Sequence, residues 1–466
     1  MERKKMEREK LGSRLGFILL SAGCAVGLGN IWRFPFIAGQ NGGAIFVIIY
    51  LIFLVILGIP VMTMEFSVGR ASQLSAARSF HALQPEGKKW GAFSYFAMGG
   101  NYLLMMFYTT VSGWILAYLY KMITGEFVGL TPDEVGGVFG GHISNTGASI
   151  GWMIAICVIG FAVCAIGLRK GVERITKVMM SGLVIFLVVL IVRALTLPGA
   201  GEGLAFYLMP NWEAFRDRGL GNVLFDAMGQ AFFTLSLGIG SMAIFGSYLD
   251  KKHRLLGEAV RVTALDTTIA IGAGLIIFPA CFAFGIDPGA GPGLIFVTLP
   301  NVFNAMPLGQ LWGSIFFIFM VFAALSTVIA VFENIVSFAM DLSGCSRQKA
   351  TIINAIVVIV LSLPCALSFS VWSNGGFYIW RGDGWVIDVE DFVLSNNLLP
   401  LGALVYLAFC VYKAGWGWDK FRAEANEGTS GLKVPNAPAL KYYLQFVLPA
   451  IMVAVFILGY INIFGS

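Results

Sequence analysis

The stretch SAGCAVGLGNIWRFP (residues 21–35) lies inside the first apolar segment of the chain, yet it contains three glycines, an asparagine, an arginine and a proline. Glycine destabilises a helix and allows the backbone to leave helical geometry. The motif AVGLGN (residues 25–30) therefore predicts a break in this segment.

The composition is that of a membrane protein. Of the 466 residues, 58% are hydrophobic and only 12% are charged, and the mean hydropathy is +0.80. Apolar segments of about 20 residues, long enough to cross about 30 Å of hydrocarbon, recur along the whole length. The sequence predicts an all-α polytopic protein forming one transmembrane domain over residues 1–466, with these eleven spans: 13–37, 42–70, 89–124, 149–168, 173–195, 221–249, 256–285, 309–343, 347–368, 388–413 and 436–463.

The loop charges predict an orientation. If the N-terminus is inside, the inner loops hold most of the lysines and arginines, and the outer loops are acidic with few cations, which is the positive-inside pattern. The outer acidic residues are Glu126, Asp133, Glu134, Glu202, Asp287, Asp383 and Asp388. We therefore expect a cytoplasmic N-terminus, an outer C-terminus and, because the outer loops lack cysteine pairs and glycosylation sequons, a bacterial inner membrane. The net charge of +5 follows from this topology and does not indicate nucleic-acid binding.

A second break is predicted in span six, where SLGIGS (residues 236–241) resembles the glycine pattern of span one. The breaks lie five spans apart, as in an inverted repeat of spans one to five (13–195) and six to ten (221–413) followed by span eleven (436–463). Freed carbonyls at such breaks must face something other than lipid. Close packing of glycines between intact helices is the alternative interpretation.

Ionisable residues within the spans favour a transport pathway. Arg33, Glu65, Asp266, Glu333 and Asp391 lie in or at the ends of apolar spans, where an unpaired charge costs at least about 2.5 kcal/mol. Phosphate-binding and zinc-peptidase motifs are absent from the sequence, so we expect neither an enzyme nor a primary pump. An ion gradient is the expected energy source.

Six longer motifs extend beyond the two glycine patterns. The strings GCAVGLGNIWRFP, NGGAIF, GIPVMTMEFSVGR, GQAFFTLSLGIGS, FVTLPNVF and FAALSTVIA occur in this order along nearly the whole chain. Together they resemble the neurotransmitter:sodium symporter family of LeuT-like transporters. The resemblance implies a LeuT-type 5+5 inverted repeat with discontinuous helices 1 and 6, and transport of an amino acid with sodium.

The resemblance also implies two sodium sites. The first would use the Ala25 carbonyl and the side chains of Asn30, Thr234 and Asp266. The second would use the carbonyls of Gly23, Val26 and Ala323 with the hydroxyls of Ser326 and Thr327. Oxygen ligands suit a hard cation, although Ser326 and Thr327 considered alone would more often bond their own helix.

For the substrate, the family pattern implies backbone contacts at Ala25 and Gly27 and a Tyr108 hydroxyl that bonds the carboxylate. The expected side-chain pocket consists of Leu104, Phe233, Ser236, Ile239, Val328 and Val331. Glycine at position 27, where amine transporters of the family tend to carry aspartate, favours a hydrophobic amino acid, aliphatic or aromatic.

Gates are implied on both sides. The outer gate would pair Arg33 with Asp391, assisted by Gln230. The inner gate would pair Arg8 with Asp341 and Tyr248 with Glu333, while Glu65 would bond the unwound backbone of span six.

Four positions depart from the family pattern. Asp266 stands where many members have asparagine, and Ala270, one turn later, stands where chloride-dependent members have serine and the leucine-binding relative has glutamate, so we expect chloride-independent transport. Protonation of Asp266 in the return state is the alternative, and it would add proton antiport. Ser181 replaces the proline of a Gly-x9-Pro motif that begins at Gly171, and Leu11 replaces a tryptophan near the inner gate.

Two alternatives remain open at this stage. An amino-acid sensor of the same fold without net transport would use the same binding residues, and an amine transporter is disfavoured by Gly27. The expected partners are a small amino acid and the lipid bilayer, with no nucleic acid. The sequence leaves the oligomeric state open.

Overall fold

The computed structural model describes residues 9–285, 293–372 and 386–464, and these residues are almost entirely helical. Among them, nine helices are long and apolar enough to cross a membrane. We number these helices as spans two to five and seven to eleven: Ala44–Ser72, Trp90–Ile123, Thr146–Ile166, Leu168–Leu195, Leu255–Ala283, Gly309–Ser343, Arg347–Ser368, Val386–Val411 and Pro438–Ile461.

Spans one and six are both broken. Span one consists of Arg14–Ala25 and Gly29–Gln40, which meet at an angle of 55°. Span six consists of Leu220–Thr234 and Ser241–Ser247, separated by six residues. Each half of span six is too short to cross a membrane alone, so together they form the remaining span of the eleven.

We call the face at Arg14 the inner face and the face at Gln40 the outer face. At the inner face, spans four and five are joined by a single residue, Gly167, with φ of +107°. Only glycine adopts this conformation readily. Span five then begins with a wide π-helical turn at Leu168–Glu173 and continues as Arg174–Leu195, straight through Ser181.

Span eight forms the centre of the molecule. In span eight, 78% of the most apolar 18-residue stretch is buried inside the protein, but in span eleven only 28% of the corresponding stretch is buried. Phe316, Phe317, Phe319 and Met320 of span eight are fully buried. The central helix therefore packs on protein on nearly all sides, whereas span eleven leaves most of its surface for lipid.

Spans two and six approach each other closely through glycine. A methyl group added to Gly69 would lie 1.8 Å from the carbonyl oxygen of Ala243, and one added to Gly246 would lie 2.4 Å from that of Phe66. The inner half of span six, Ser241–Ser247, thus packs directly against the backbone of span two.

The inner loop between spans ten and eleven is tied to span two. Its helix Trp418–Asn426 carries Glu424, whose Oε1 accepts from Nε of Arg70 at 2.6 Å. The Arg70 side chain is fully buried and also donates to the backbone oxygens of Glu424 and His253. Arg70 therefore fastens the loop helix to span two at the inner face.

We predict that Gly246→Ala lowers the thermal unfolding midpoint in detergent, because overpacking against a backbone carbonyl costs about 1–3 kcal/mol. Tryptophan fluorescence on heating gives the midpoint. Gly99→Ala in span three is the control, since a methyl group there meets no atom within 4 Å. Equal midpoints for the two variants would contradict the close approach.

Candidate functional site

The break in span one exposes backbone that polar side chains then bind. The amide of Gly27 donates to Oδ1 of Asn30 at 3.1 Å, and the amide of Leu28 donates to the Tyr108 hydroxyl at 3.0 Å. All of these groups are buried. The bent backbone is thus held by one side chain of its own span and one of span three.

The break in span six spans residues 235–240. Ser236, Gly238 and Gly240 all have positive φ, of 51°, 96° and 77°. Glu65 of span two is fully buried and accepts from the amides of Gly238 (2.6 Å) and Met242 (3.2 Å). The structure therefore brings Glu65 to the unwound backbone of span six, where the sequence analysis expected it.

The two breaks touch each other. The Ser236 hydroxyl donates to the carbonyl oxygen of Cys24 at 3.2 Å. The unwound part of span six thus meets the last turn of the inner half of span one, and the polar groups of the two breaks lie at one buried surface.

The residues expected at the first sodium site are assembled beside this surface. Nδ2 of Asn30 donates to Oδ1 of Asp266 at 2.8 Å, and the Thr234 hydroxyl donates to Oδ2 of Asp266 at 3.1 Å. All three residues are fully buried. Ala25, the fourth expected ligand, lines the adjoining pocket. Amide, hydroxyl and carboxylate oxygens are hard donors suited to a small cation.

The residues expected at the second site also lie together. The Thr327 hydroxyl reaches the carbonyl oxygens of Gly23 (3.2 Å) and Val26 (3.1 Å) across the gap between spans eight and one. The Ser326 hydroxyl donates to the carbonyl of Ala323 at 2.9 Å, within its own helix. This cluster links the central helix to the inner half of span one.

A pocket lies between the breaks and span three. Of the residues expected to contact substrate, seven line it: Ala25, Gly27, Leu104, Tyr108, Phe233, Ser236 and Ile239. Its free volume is only about 10 Å³, roughly that of one water. An amino acid therefore needs these side chains to move apart.

Two expected pocket residues are elsewhere. Val328 and Val331 are fully buried in span eight but do not line the pocket. Cγ1 of Val328 would lie 2.9 Å from a methyl group added to Gly160, so its side chain faces span four. Four lining residues were not predicted at all: Cys24, Gly29, Leu394 and Leu399. Thr327, expected only at the second sodium site, also lines the pocket.

Gly27 leaves no room for a side chain. A methyl group there would lie 2.3 Å from the Tyr108 hydroxyl oxygen and 2.5 Å from Oγ1 of Thr327. These distances are far inside van der Waals contact, so an aspartate at this position is incompatible with this packing.

An ion pair lies on the outer side of the pocket. Nη2 of Arg33 is 3.5 Å from Oδ2 of Asp391, and Cζ of Arg33 sits 4.6 Å from the centre of the Phe233 ring. A cavity of about 310 Å³ adjoins all three residues. Gln230, expected to assist the pair, instead donates from Nε2 to the Gly29 carbonyl at 2.8 Å.

The inner side contains a pair that the sequence analysis expected and a partner that it missed. The Tyr248 hydroxyl donates to Oε1 of Glu333 at 2.7 Å. Arg347 grips the same carboxylate with both terminal nitrogens, at 2.6 and 3.0 Å. Arg347 is the first residue of span nine and lies fourteen residues after Glu333. This spacing alone does not predict that the two side chains meet.

The other expected inner pair involves Arg8, which lies outside the described residues. Its expected partner Asp341 accepts from the amide of Ser75 at 2.7 Å. Leu11, in place of the family tryptophan, donates its amide to the Tyr248 carbonyl at 3.4 Å. The first described residues of the chain therefore lie against the inner end of span six.

Comparison with known proteins agrees with this architecture. Residues 8–130 and 138–465 match the Sodium:neurotransmitter symporter family. An uncharacterized sodium-dependent transporter of Bacillus subtilis, YhdH, is 34% identical over 445 residues, covering 96% of both chains. An uncharacterized sodium-dependent transporter of Haemophilus influenzae is 31% identical over 471 residues, covering 98% of this chain and 99% of the relative.

A solved structure is similar over nearly the same length. The crystal structure of MhsT in complex with L-phenylalanine superposes with a TM-score of 0.87 at 39% identity, covering 97% of this chain and 100% of MhsT. The chain therefore belongs to the sodium:neurotransmitter symporter family, and is an all-α multi-pass membrane transporter of the LeuT-type fold rather than an enzyme.

Proposed function

We propose that this protein is a sodium-coupled symporter of hydrophobic neutral amino acids that alternates access around the two broken helices. The observation that carries the proposal is the contact between the breaks, Ser236 to the Cys24 carbonyl at 3.2 Å, flanked by two oxygen-rich clusters. Discontinuous helices that meet at mid-membrane supply backbone dipoles for ions and for charged substrate groups.

Two sodium ions are proposed as co-substrates. The first would be bound by Ala25, Asn30, Thr234 and Asp266, together with the carboxylate of the amino acid. The second would be bound by Gly23, Val26, Ala323, Ser326 and Thr327. Because the second cluster joins span eight to the inner half of span one, its ion would favour the conformation in which these helices are in contact.

The proposed substrate has an apolar side chain. Leu104, Phe233, Ile239, Leu394 and Leu399 supply mostly apolar walls, while the Tyr108 hydroxyl and the unwound backbone supply the polar end. The similar structure of MhsT holds L-phenylalanine. The space closed off at Gly27 argues against an amine substrate that needs an aspartate there.

Transport is proposed to be independent of chloride. Asp266 places a carboxylate beside Asn30 and Thr234, within 3.2 Å of both. When it is ionised, this carboxylate supplies a negative charge close to the first sodium, and a chloride ion is not required for charge balance.

The gates, repeats and orientation complete the proposal. Arg33–Asp391 would close the outer side, and Glu333 with Tyr248 and Arg347 would close the inner side together with Arg8–Asp341. Spans one to five and six to ten would be the two inverted repeats of a single domain. The inner face would lie in the cytoplasm of a bacterial cell and the C-terminus outside.

We expect proteoliposomes to accumulate radiolabelled phenylalanine or leucine under an inward sodium gradient but not in potassium. Asn30→Ala and Thr327→Ala should each weaken sodium binding about tenfold or more, since losing ~1.4 kcal/mol of ion binding is tenfold in Kd. Thr268→Ala is the control, because its exposed hydroxyl bonds only its own helix. Sodium-dependent binding without accumulation would favour the sensor.

Gly27→Ala should reduce phenylalanine uptake at least about fivefold, since overpacking against Tyr108 and Thr327 costs about 1–3 kcal/mol and 1.4 kcal/mol is about tenfold. Gly99→Ala should transport normally. In competition with wild-type uptake, leucine and tryptophan should displace phenylalanine and dopamine should not. Displacement by dopamine would exclude the amino-acid assignment.

Replacing chloride by gluconate should leave wild-type uptake unchanged. Asp266→Asn should lose most uptake in gluconate, because its first sodium site has no fixed negative charge. A wild-type rate that collapses in gluconate and recovers in chloride would refute chloride independence.

A further inference from the structure

A buried carboxylate holds the inner end of span one. Glu258, near the start of span seven, is fully buried, and its Oε1 accepts from Nη2 of Arg14 at 2.6 Å and from Nε at 3.2 Å. The same Oε1 accepts from Nη1 of Arg261, one turn further along span seven, at 2.8 Å. Glu258 thus has one cation from span one and one from its own helix.

Span five repeats this arrangement. Oε2 of Glu173 accepts from the amide of Gly12 at 2.8 Å, and its Oε1 accepts from the Ser13 hydroxyl at 3.3 Å. Lys177, four residues further along the same helix, donates to Oε1 at 2.6 Å. Both carboxylates therefore pair with span one on one side and with a cation of their own helix on the other.

The cation on each carboxylate's own helix lowers the free energy needed to detach span one. Removing the partner of a buried charge is strongly destabilising when the charge is left uncompensated. If Arg14 leaves, Glu258 keeps Arg261; if Gly12 and Ser13 leave, Glu173 keeps Lys177. Neither carboxylate is stranded.

We propose that Arg261 and Lys177 are resident counter-ions that allow residues 12–14 to detach from the inner face and open the inner side. The proposal rests on alternating access as proposed above. Arg261 is a positioning residue of the transport cycle and makes no contact with the substrate pocket.

The two arginines on Glu258 have opposite effects on opening. Arg14 contacts Glu258 only while span one is attached, so Arg14→Gln favours opening. Arg261 contacts Glu258 in both states but is essential only after Arg14 has left. While both arginines are present, they repel each other and share one oxygen of Glu258. Arg261→Gln therefore destabilises the attached state, in which Arg14 still neutralises Glu258, less than the detached state. The substitution slows opening for this reason.

Other charges near Glu258 do not change the direction of the Arg261→Gln effect on opening. His253 and Arg70 also act on it electrostatically. Arg70 is already bound to Glu424, and His253 bonds Ser430 through Nδ1. Because neither of these partners lies on span one, His253 and Arg70 act on Glu258 equally whether Arg14 is attached or detached. They therefore reduce the effect of Arg261→Gln on opening without reversing it.

The test measures maleimide labelling of Ser21→Cys in proteoliposomes. Ser21 is fully buried in the inner half of span one, and its hydroxyl has no hydrogen-bond partner within residues 9–285, 293–372 and 386–464, so cysteine fits. Cys345→Ser removes the one native cysteine that is not buried, and the same protein with Ser21 intact gives the labelling of Cys24 on the same helix, which is subtracted. We expect labelling roughly tenfold slower in Arg261→Gln and roughly tenfold faster in Arg14→Gln.

Three further variants sharpen the test. Arg174→Gln removes an exposed inner cation that has no ion pair among the described residues, and should label at the parent rate. Arg261→Lys keeps the charge and should also label at the parent rate. In Glu258→Gln, labelling should be fast, and adding Arg261→Gln should change nothing.

The outcomes separate the two proposals. Labelling of Arg261→Gln at or above the parent rate, or slowing that persists in Glu258→Gln, would overturn the counter-ion role. Phenylalanine uptake by the parent protein, measured in the same vesicles, reports on the symporter itself. Its absence would refute the proposed function whatever the labelling shows.

Discussion

The structure depends on one requirement: backbone amides and carbonyls inside a membrane must find partners within the protein. Continuous helices meet it by themselves, but the breaks in spans one and six do not. Side chains meet it instead. Tyr108 takes the Leu28 amide, Glu65 takes those of Gly238 and Met242, and Gln230 donates to the Gly29 carbonyl. These ties fix the unwound segments in one arrangement.

The candidate site follows from the same requirement. Once the amides are occupied by neighbouring side chains, the remaining oxygens converge near Asn30, Asp266 and Thr327. Unbroken helices would offer only side-chain polar groups at this depth, because their backbone groups are paired within the helix. Breaking two helices and repairing them with side chains from spans two, three and six creates polar surface without exposing it to lipid.

The sequence was sufficient to predict the spans, both breaks and most of the polar contacts, because each depends on local composition or on a motif. The sequence did not predict the contacts that depend on how each helix is rotated about its own axis. Val328 directly follows Thr327, yet it turns toward Gly160 and away from the pocket. Leu394 and Leu399 reach the pocket from span ten, where a wide turn at Phe392–Leu398 shifts the helix face that they share. The grip of Arg347 on Glu333 also depends on how spans eight and nine meet, which no local pattern encodes.

The fastening of the inner loop by Arg70 has a consequence for biosynthesis. Its partner Glu424 lies 354 residues later in the chain. At about 5–20 residues per second, the ribosome needs roughly 20 to 70 s to deliver that partner. The His253 carbonyl, the other acceptor of Arg70, is made 183 residues after it, so for the second half of this interval Arg70 has only that one of its partners. The helix that lies across the inner face after span ten is therefore the last of these contacts to form, when translation is nearly complete.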